Sequence, residues 1–124
     1  MKPTPVVETS LVKAGGCETF RPLISQYNWD VRIAMAIMEA ESTTFKNGTS
    51  TPCDPNSDNT GLNTDGTNDK GLMQVNSIHV TSGLIGDGER FNPEANIKAA
   101  YSIYLGGGWG RWSSFNNGMY KRHL

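Results

Sequence analysis

Little in this sequence is extreme, and its shortages are the first source of information. Neither sign of charge dominates, since 11 basic side chains face 12 acidic ones. A nucleic-acid binder would carry a basic stripe, so no nucleic-acid partner is expected. Near neutrality also removes strong long-range attraction to anionic surfaces, and any such substrate must be held by short-range contacts. No apolar run is long enough to span a bilayer. Met1 to Ser10 lack the apolar segment of a secretory signal, which leaves an intracellular protein or one whose signal has been removed. Histidine is scarce, with only His79 and His123. No convincing Ser-His constellation can be assembled, and serines without an activating base have no reason to act as nucleophiles. Cysteine is scarcer still in what it permits: Cys17 and Cys53 match no zinc spacing. They are either two buried thiols or one disulfide, and an even pair flanking one helix suits an extracellular domain. Asp54, Asn56, Asp58, Thr60 and Asp65 fall near the spacing of a calcium loop. Asn59 stands where such a loop needs glycine, however, and Asp65 replaces the closing glutamate. No metal and no cofactor are expected.

What is present fits one domain, because 124 residues allow a single hydrophobic core and not two. Residues 1–16, with two prolines, two glycines and no periodicity, read as a flexible leader. The domain then runs over 17–124. Glu18 to Tyr27 reads as a short helix with Pro22 in its first turn. Asp30 is a candidate N-cap for a second helix from Val31 to about Glu41. That helix is apolar almost all round (Val31, Ile33, Ala34, Met35, Ala36, Ile37, Met38, Ala40), which predicts a central, buried position. Glu41 closes it. Apolar neighbours and the negative end of the helix dipole both act to raise the pKa of a carboxyl there, the direction a general acid requires.

From Ser42 to Lys70 the composition turns to Pro, Asn, Asp, Ser, Thr and Gly, the chemistry of turns. Asp65-Gly66 is a hairpin signal, so an irregular lobe with a small β-hairpin is expected. Leu72 to Val75 is too short to be assigned as strand or helix by period. Asn92 then caps a helix that starts at Pro93, with Ile97, Ala100, Tyr101 and Tyr104 on one face. Gly106 to Gly108 end it, and Trp109 to Phe115 reads as a last short helix before Asn117-Gly118. The expected fold class is α+β, mostly helical, with an irregular lobe lying across a buried helix. Carboxylates and amides gather in that lobe: Glu41, Asp58, Asp65, Asp69, Gln74 and Asn76. Chemistry here would rest on carboxylic acids, as it does in glycoside hydrolysis.

Four segments occur in a telling order: Glu41-Ser42, Gly71-Leu72-Met73-Gln74-Val75-Asn76, Asn92-Pro93 with Asn96-Ile97, and Trp112 followed by Phe115-Asn116-Asn117-Gly118. They resemble the motifs of the lytic transglycosylase (SLT) domain of the lysozyme-like superfamily. The run from Asn63 to Ser77 is also similar to the β-lobe of animal c-type lysozymes. The resemblance covers roughly Cys17 to Tyr120; each motif alone is common, and four in order are specific. It implies a lysozyme-like fold. It also implies cleavage of peptidoglycan glycan strands at the β-1,4 bond between N-acetylmuramic acid and N-acetylglucosamine.

By the same resemblance Glu41 is the general acid, and Asp69 aligns with the second catalytic carboxylate of c-type lysozymes. Most lytic transglycosylases use no such carboxylate. They let the muramic acid 6-hydroxyl attack internally and release a 1,6-anhydro product, so Asp69 is either catalytic or a hairpin aspartate accepting backbone hydrogen bonds. Gln74 and Asn76 match positions that bind sugar beside the acid, with turn-stabilising amides as the alternative. Ser42, Phe115, Asn116 and Tyr120 complete the expected substrate-binding set. Phe115 departs from the family, which usually has Tyr there, and Tyr120 or Tyr101 is the replacement hydroxyl available near Glu41. Trp109 and Trp112 suit either sugar stacking or the core. Extracellular or cell-envelope placement and a monomer follow as expectations. A non-catalytic glycan-binding domain on the same fold and a chitin-directed hydrolase are the competing readings.

Overall fold

The computed structural model describes residues 16–124. The expected leader lies outside the described residues except for Gly16, which opens a 3-10 turn, Gly16–Phe20. It runs into a single α-helical turn, α1 (Arg21–Ile24), with Pro22 at its start. The expected first helix is thus split into two short pieces. Helix α2 (Val31–Ser42) follows, and its cap is the expected one: the Asp30 side chain accepts from the Ile33 N–H at 3.1 Å. Its apolar surface has the expected consequence, since Ala34, Met35, Ala36, Ile37 and Met38 are all buried.

The lobe begins directly after α2. Strands β1 (Thr44–Lys46) and β2 (Thr49–Thr51) form an antiparallel hairpin. Its turn is Asn47-Gly48, both with positive φ (52° and 78°), which is the backbone a tight two-residue hairpin demands. Asp65-Gly66 makes no hairpin. Asp65 instead folds back on its own loop, accepting from the Thr67 N–H at 2.9 Å, an Asx-type turn. A second antiparallel pair, β3 (Asp69–Lys70) and β4 (Val75–Asn76), sets Asp69 opposite Asn76. The ambiguous Leu72 to Gln74 segment is the turn between them, and only Val75 enters a strand. Cys17 and Cys53 are joined as a disulfide, which ties the lobe to the 3-10 turn.

A short helix α3 (Ile78–Thr81) leads to the long helix α4 (Pro93–Gly107), capped by Asn92 as expected. A 3-10 turn (Trp109–Arg111), helix α5 (Ser113–Asn116) and another 3-10 turn (Met119–His123) finish the chain. One core joins all of these, with Ile37 and Met38 of α2, Ile97, Ala100 and Ile103 of α4, and Leu72, Met73 and Val75 of the lobe. Trp109 and Trp112 belong to that packing. Trp109 stacks on Trp29 at 5.4 Å, and buried Trp112 donates its indole N–H to the Met73 carbonyl at 2.8 Å. Among the described residues no helix is long and apolar enough to cross a membrane.

The lobe has little regular structure of its own, so side chains must hold it. Asn96, fully buried on α4, accepts from the Met73 N–H at 2.8 Å and donates to the carbonyls of Lys70 (2.9 Å) and Arg90 (2.8 Å). Those bonds satisfy three backbone groups that would otherwise be stranded in the core. Gly71 makes room for this: a Cβ there would lie 2.0 Å from the Arg90 carbonyl oxygen and 2.2 Å from Asn96 Nδ2. Buried Arg90 donates in turn to the Val75 carbonyl (2.9 Å), the Asn68 side chain (2.9 Å) and the Asp87 carboxylate. Replacing Asn96 by Ala leaves an N–H and two carbonyls unpaired in the core. The expected loss is about 3 kcal/mol of unfolding free energy, read from urea denaturation.

Candidate active site

The cleft is formed where the β3–β4 pair, α3, α4 and the segment after α4 approach one another. A cavity of about 310 Å³ lies against the lobe, lined by Asp69, Gln74, Asn76, His79, Arg111 and Trp112 among others. Asp69 lines it, Glu41 lies near enough to feel the Asp69 charge, and the surroundings of the two carboxyls differ in kind.

Glu41 projects from the last turn of α2 and is partly buried. Its Oε2 accepts from the Ser114 N–H in α5 at 3.1 Å. Burial pushes the Glu41 pKa up; the Ser114 hydroxyl and N–H pull it back, and the nearby Asp69 charge adds to the rise. The Ser114 hydroxyl is buried beside this carboxyl without a hydrogen bond of good geometry, so the main-chain N–H is the firm contact. The direction agrees with the expectation from sequence, and burial, the part expected from apolar neighbours, leads among the causes. The result is a carboxyl that keeps its proton to higher pH than an ordinary glutamate.

Asp69 sits on β3 in a bed of amides. Asn59 and Asn63 donate to its Oδ2 at 2.8 and 3.0 Å, and Asn76 donates to its Oδ1 at 2.8 Å. The Asn59 side-chain oxygen accepts from the Asp69 N–H at 2.6 Å, so the residue is gripped at main chain and side chain alike. Three amide groups donate to the carboxylate, an environment suited to an acceptor. Asn76 is held in turn, since its oxygen accepts from the Ile78 N–H at 2.9 Å and its amide also reaches Thr67. Asn59 and Asn63 were not singled out from sequence. Their signal was the density of Asn in the lobe, which reads equally well as turn chemistry.

Other expected site residues divide. Gln74 lines the cleft, but its amide nitrogen is committed to Ser57 O (3.2 Å), Ser57 Oγ (3.1 Å) and Gly71 O (2.9 Å). Its backbone stands at φ 50°, a left-handed conformation uncommon for a residue with a side chain. Asn76 also lines the cleft, with its amide turned to Asp69. Ser42 is out of a substrate's reach, because it is fully buried and its hydroxyl donates to the Met38 carbonyl at 2.7 Å. Phe115 stacks on Tyr120 at 4.8 Å, and the two rings pack against the core. Asn116 donates to the Gly110 carbonyl at 2.8 Å. Tyr101 stacks on Tyr27 at 4.8 Å, within an aromatic cluster. The contact expected from a tyrosine hydroxyl near Glu41 is made here by Ser114. Sequence offered no cue for that, because a main-chain N–H carries no residue signature.

The raised Glu41 pKa has a thermodynamic consequence. Between the ordinary glutamate value and the raised one, the folded chain holds a proton that the unfolded chain has released. Stability therefore falls as pH rises through that window. Glu41→Gln removes the charge that would have to be buried. Calorimetry at neutral pH should show the variant melting a few degrees above the wild type, with the difference closing below about pH 4.

The model of a family described as the transglycosylase SLT domain matches residues 18–116. That span contains Glu41, Asp69, Gln74, Asn76 and Ser114. No curated protein and no solved structure matches the chain significantly.

Proposed function

The chain belongs to the SLT transglycosylase family, whose chemistry is cleavage of peptidoglycan glycan strands, and from that premise we propose that Glu41 is its general acid. The bond broken is the β-1,4 link between N-acetylmuramic acid and N-acetylglucosamine. The observation that carries this reading is the contrast in the cleft: Glu41 is held towards its protonated form by burial, while Asp69 lies among amide donors. Two neighbouring carboxyls in unlike surroundings, one buried and one hydrogen-bonded by donors, are the arrangement that glycosidases use.

Glu41 gives its proton to the glycosidic oxygen as the bond from the muramic acid C1 breaks. Positive charge that develops at C1 is stabilised by Asp69, whose fixed oxygens need no reorganisation at that moment. The Glu41 carboxylate then takes a proton from the group that closes the reaction. In the family's route that group is the muramic acid 6-hydroxyl, and the product is a 1,6-anhydro ring. A second reading, hydrolysis, is favoured by the firmly held Asp69, with water as the closing group. Gln74 and Asn76 shape the sugar-binding wall, Asn76 chiefly through Asp69. The disulfide suits an oxidising compartment, and we place the protein in the extracellular space or the cell envelope, acting as a monomer.

Mass spectrometry of fragments released from purified peptidoglycan tests the proposal. The wild type should release fragments, mainly with 1,6-anhydro ends, and Glu41→Gln should lower release by at least ~100-fold. Reducing ends one water heavier would establish the hydrolytic reading. Unchanged release by Glu41→Gln would remove Glu41 from the mechanism. Release from chitin oligomers and not from peptidoglycan would overturn the substrate assignment, and wild-type binding without any release would point to a non-catalytic glycan-binding domain.

A further inference from the structure

Arg111 stands where two hollows meet. With His79 and Ile103 it lines both the cleft cavity and a neighbouring hollow of about 370 Å³. Its stem lies across the end of α4, where a Cβ on Gly107 would come within 2.1 Å of Arg111 Nε. The glycine run that ends the helix therefore also opens the space that the arginine occupies. Arg111 is exposed, and among the described residues it pairs with no carboxylate. The acidic groups of the same cavity have other partners: Asp65 accepts from Thr67, and Asp69 from Asn59, Asn63 and Asn76. His79 stands close enough to feel the guanidinium charge, and burial together with that charge lowers its pKa, so its ring is neutral at neutral pH. An unpaired guanidinium beside a neutral imidazole, on the wall of a cavity whose acidic members, Asp65 and Asp69, already have hydrogen-bond partners, is a place for an anion.

We propose that Arg111, with His79 beside it, is an anion-accepting subsite that recognises a carboxylate carried by one sugar ring of the substrate. The inference rests on the peptidoglycan reading above. In that polymer the carboxylate is either the lactyl group of N-acetylmuramic acid, free where the stem peptide has been removed, or a carboxylate of the stem itself. Arg111 offers it parallel N–H donors, and His79 offers one more from its neutral ring. Such a contact distinguishes a muramic acid ring from an N-acetylglucosamine ring, which has no carboxylate, and gives the cleft a preference for peptidoglycan over chitin.

Binding to the chain with Glu41→Gln, with and without Arg111→Gln, separates this from a general structural role. The probes are the N-acetylglucosaminyl-N-acetylmuramic acid disaccharide, the same disaccharide with its stem peptide, and di-N-acetylchitobiose. Arg111→Gln should weaken a carboxylate-bearing probe about 5- to 10-fold and leave chitobiose within about 2-fold. Arg111→Lys should recover part of the loss, and the His79 ring resonances should move with the charged probe and not with chitobiose. Weakening confined to the disaccharide assigns the lactyl group; weakening confined to the peptide-bearing probe assigns the stem. Equal weakening of all three, no weakening, or no binding of any charged probe overturns the proposal, and Arg111 is then a cation at the end of α4. Arg111-dependent binding in a chain whose wild type releases no fragments from peptidoglycan would leave the subsite standing and remove the cleavage reading.

Discussion

The structure turns on one buried amide. The lobe carries Asp69 and its ring of amides, yet its sheets are only two strands each, and such small pairs are at best marginal in water without packing against something else. Asn96 supplies the rigid reference by bonding the Met73 N–H and the Lys70 and Arg90 carbonyls from the first turn of α4. Lys70 follows Asp69 directly, so the amide that orders the core also sets where the Asp69 backbone lies. Gly71 is required because any side chain there would collide with Asn96 and Arg90. The motif segments around Gly71 and Asn96 are therefore two halves of one joint, far apart in sequence and in contact in space.

On that frame the cleft treats its two carboxyls differently. Glu41 leaves α2 through a surrounding with little to hydrate it, and the Ser114 contact only partly offsets the cost of charge there. Asp69 rests in amides contributed by Asn59, Asn63 and Asn76, from three separate points of the lobe. Burial dominates at the one and convergent donors at the other. The contrast needs the lobe held in place, which is what the joint at Asn96 provides.

The parts of this fold that follow from local rules were legible in the sequence. The caps at Asp30 and Asn92, the burial of α2 and the helical stretch after Pro93 all rest on short-range periodicity and capping, and all are present. The order of the four motifs, from Glu41-Ser42 to Trp112 and Phe115, points to the same family whose model matches residues 18–116. The lobe was less legible because side-chain hydrogen bonds between residues distant in sequence decide its shape. The hairpin expected at Asp65-Gly66 forms instead at Asn47-Gly48, and Asp65 closes only on Thr67. Arg90, which no local rule singles out, is buried, with its guanidinium bonded to lobe carbonyls. Ser42 beside the acid looked like a substrate contact, but the helix turns its hydroxyl back on Met38. Ser114 escaped notice because its contribution is a main-chain N–H, whose place is decided by how α5 packs on α2.

The central claim is that the cleft holds the Glu41 proton above the range of an ordinary glutamate, and carbon-13 NMR titration of the Glu41 side-chain carboxyl measures it directly. The account predicts a midpoint above that of exposed glutamates in the same chain, moving down in Asp69→Asn as the neighbouring charge is removed. A Glu41 midpoint at or below the ordinary value, or one indifferent to Asp69, would contradict it.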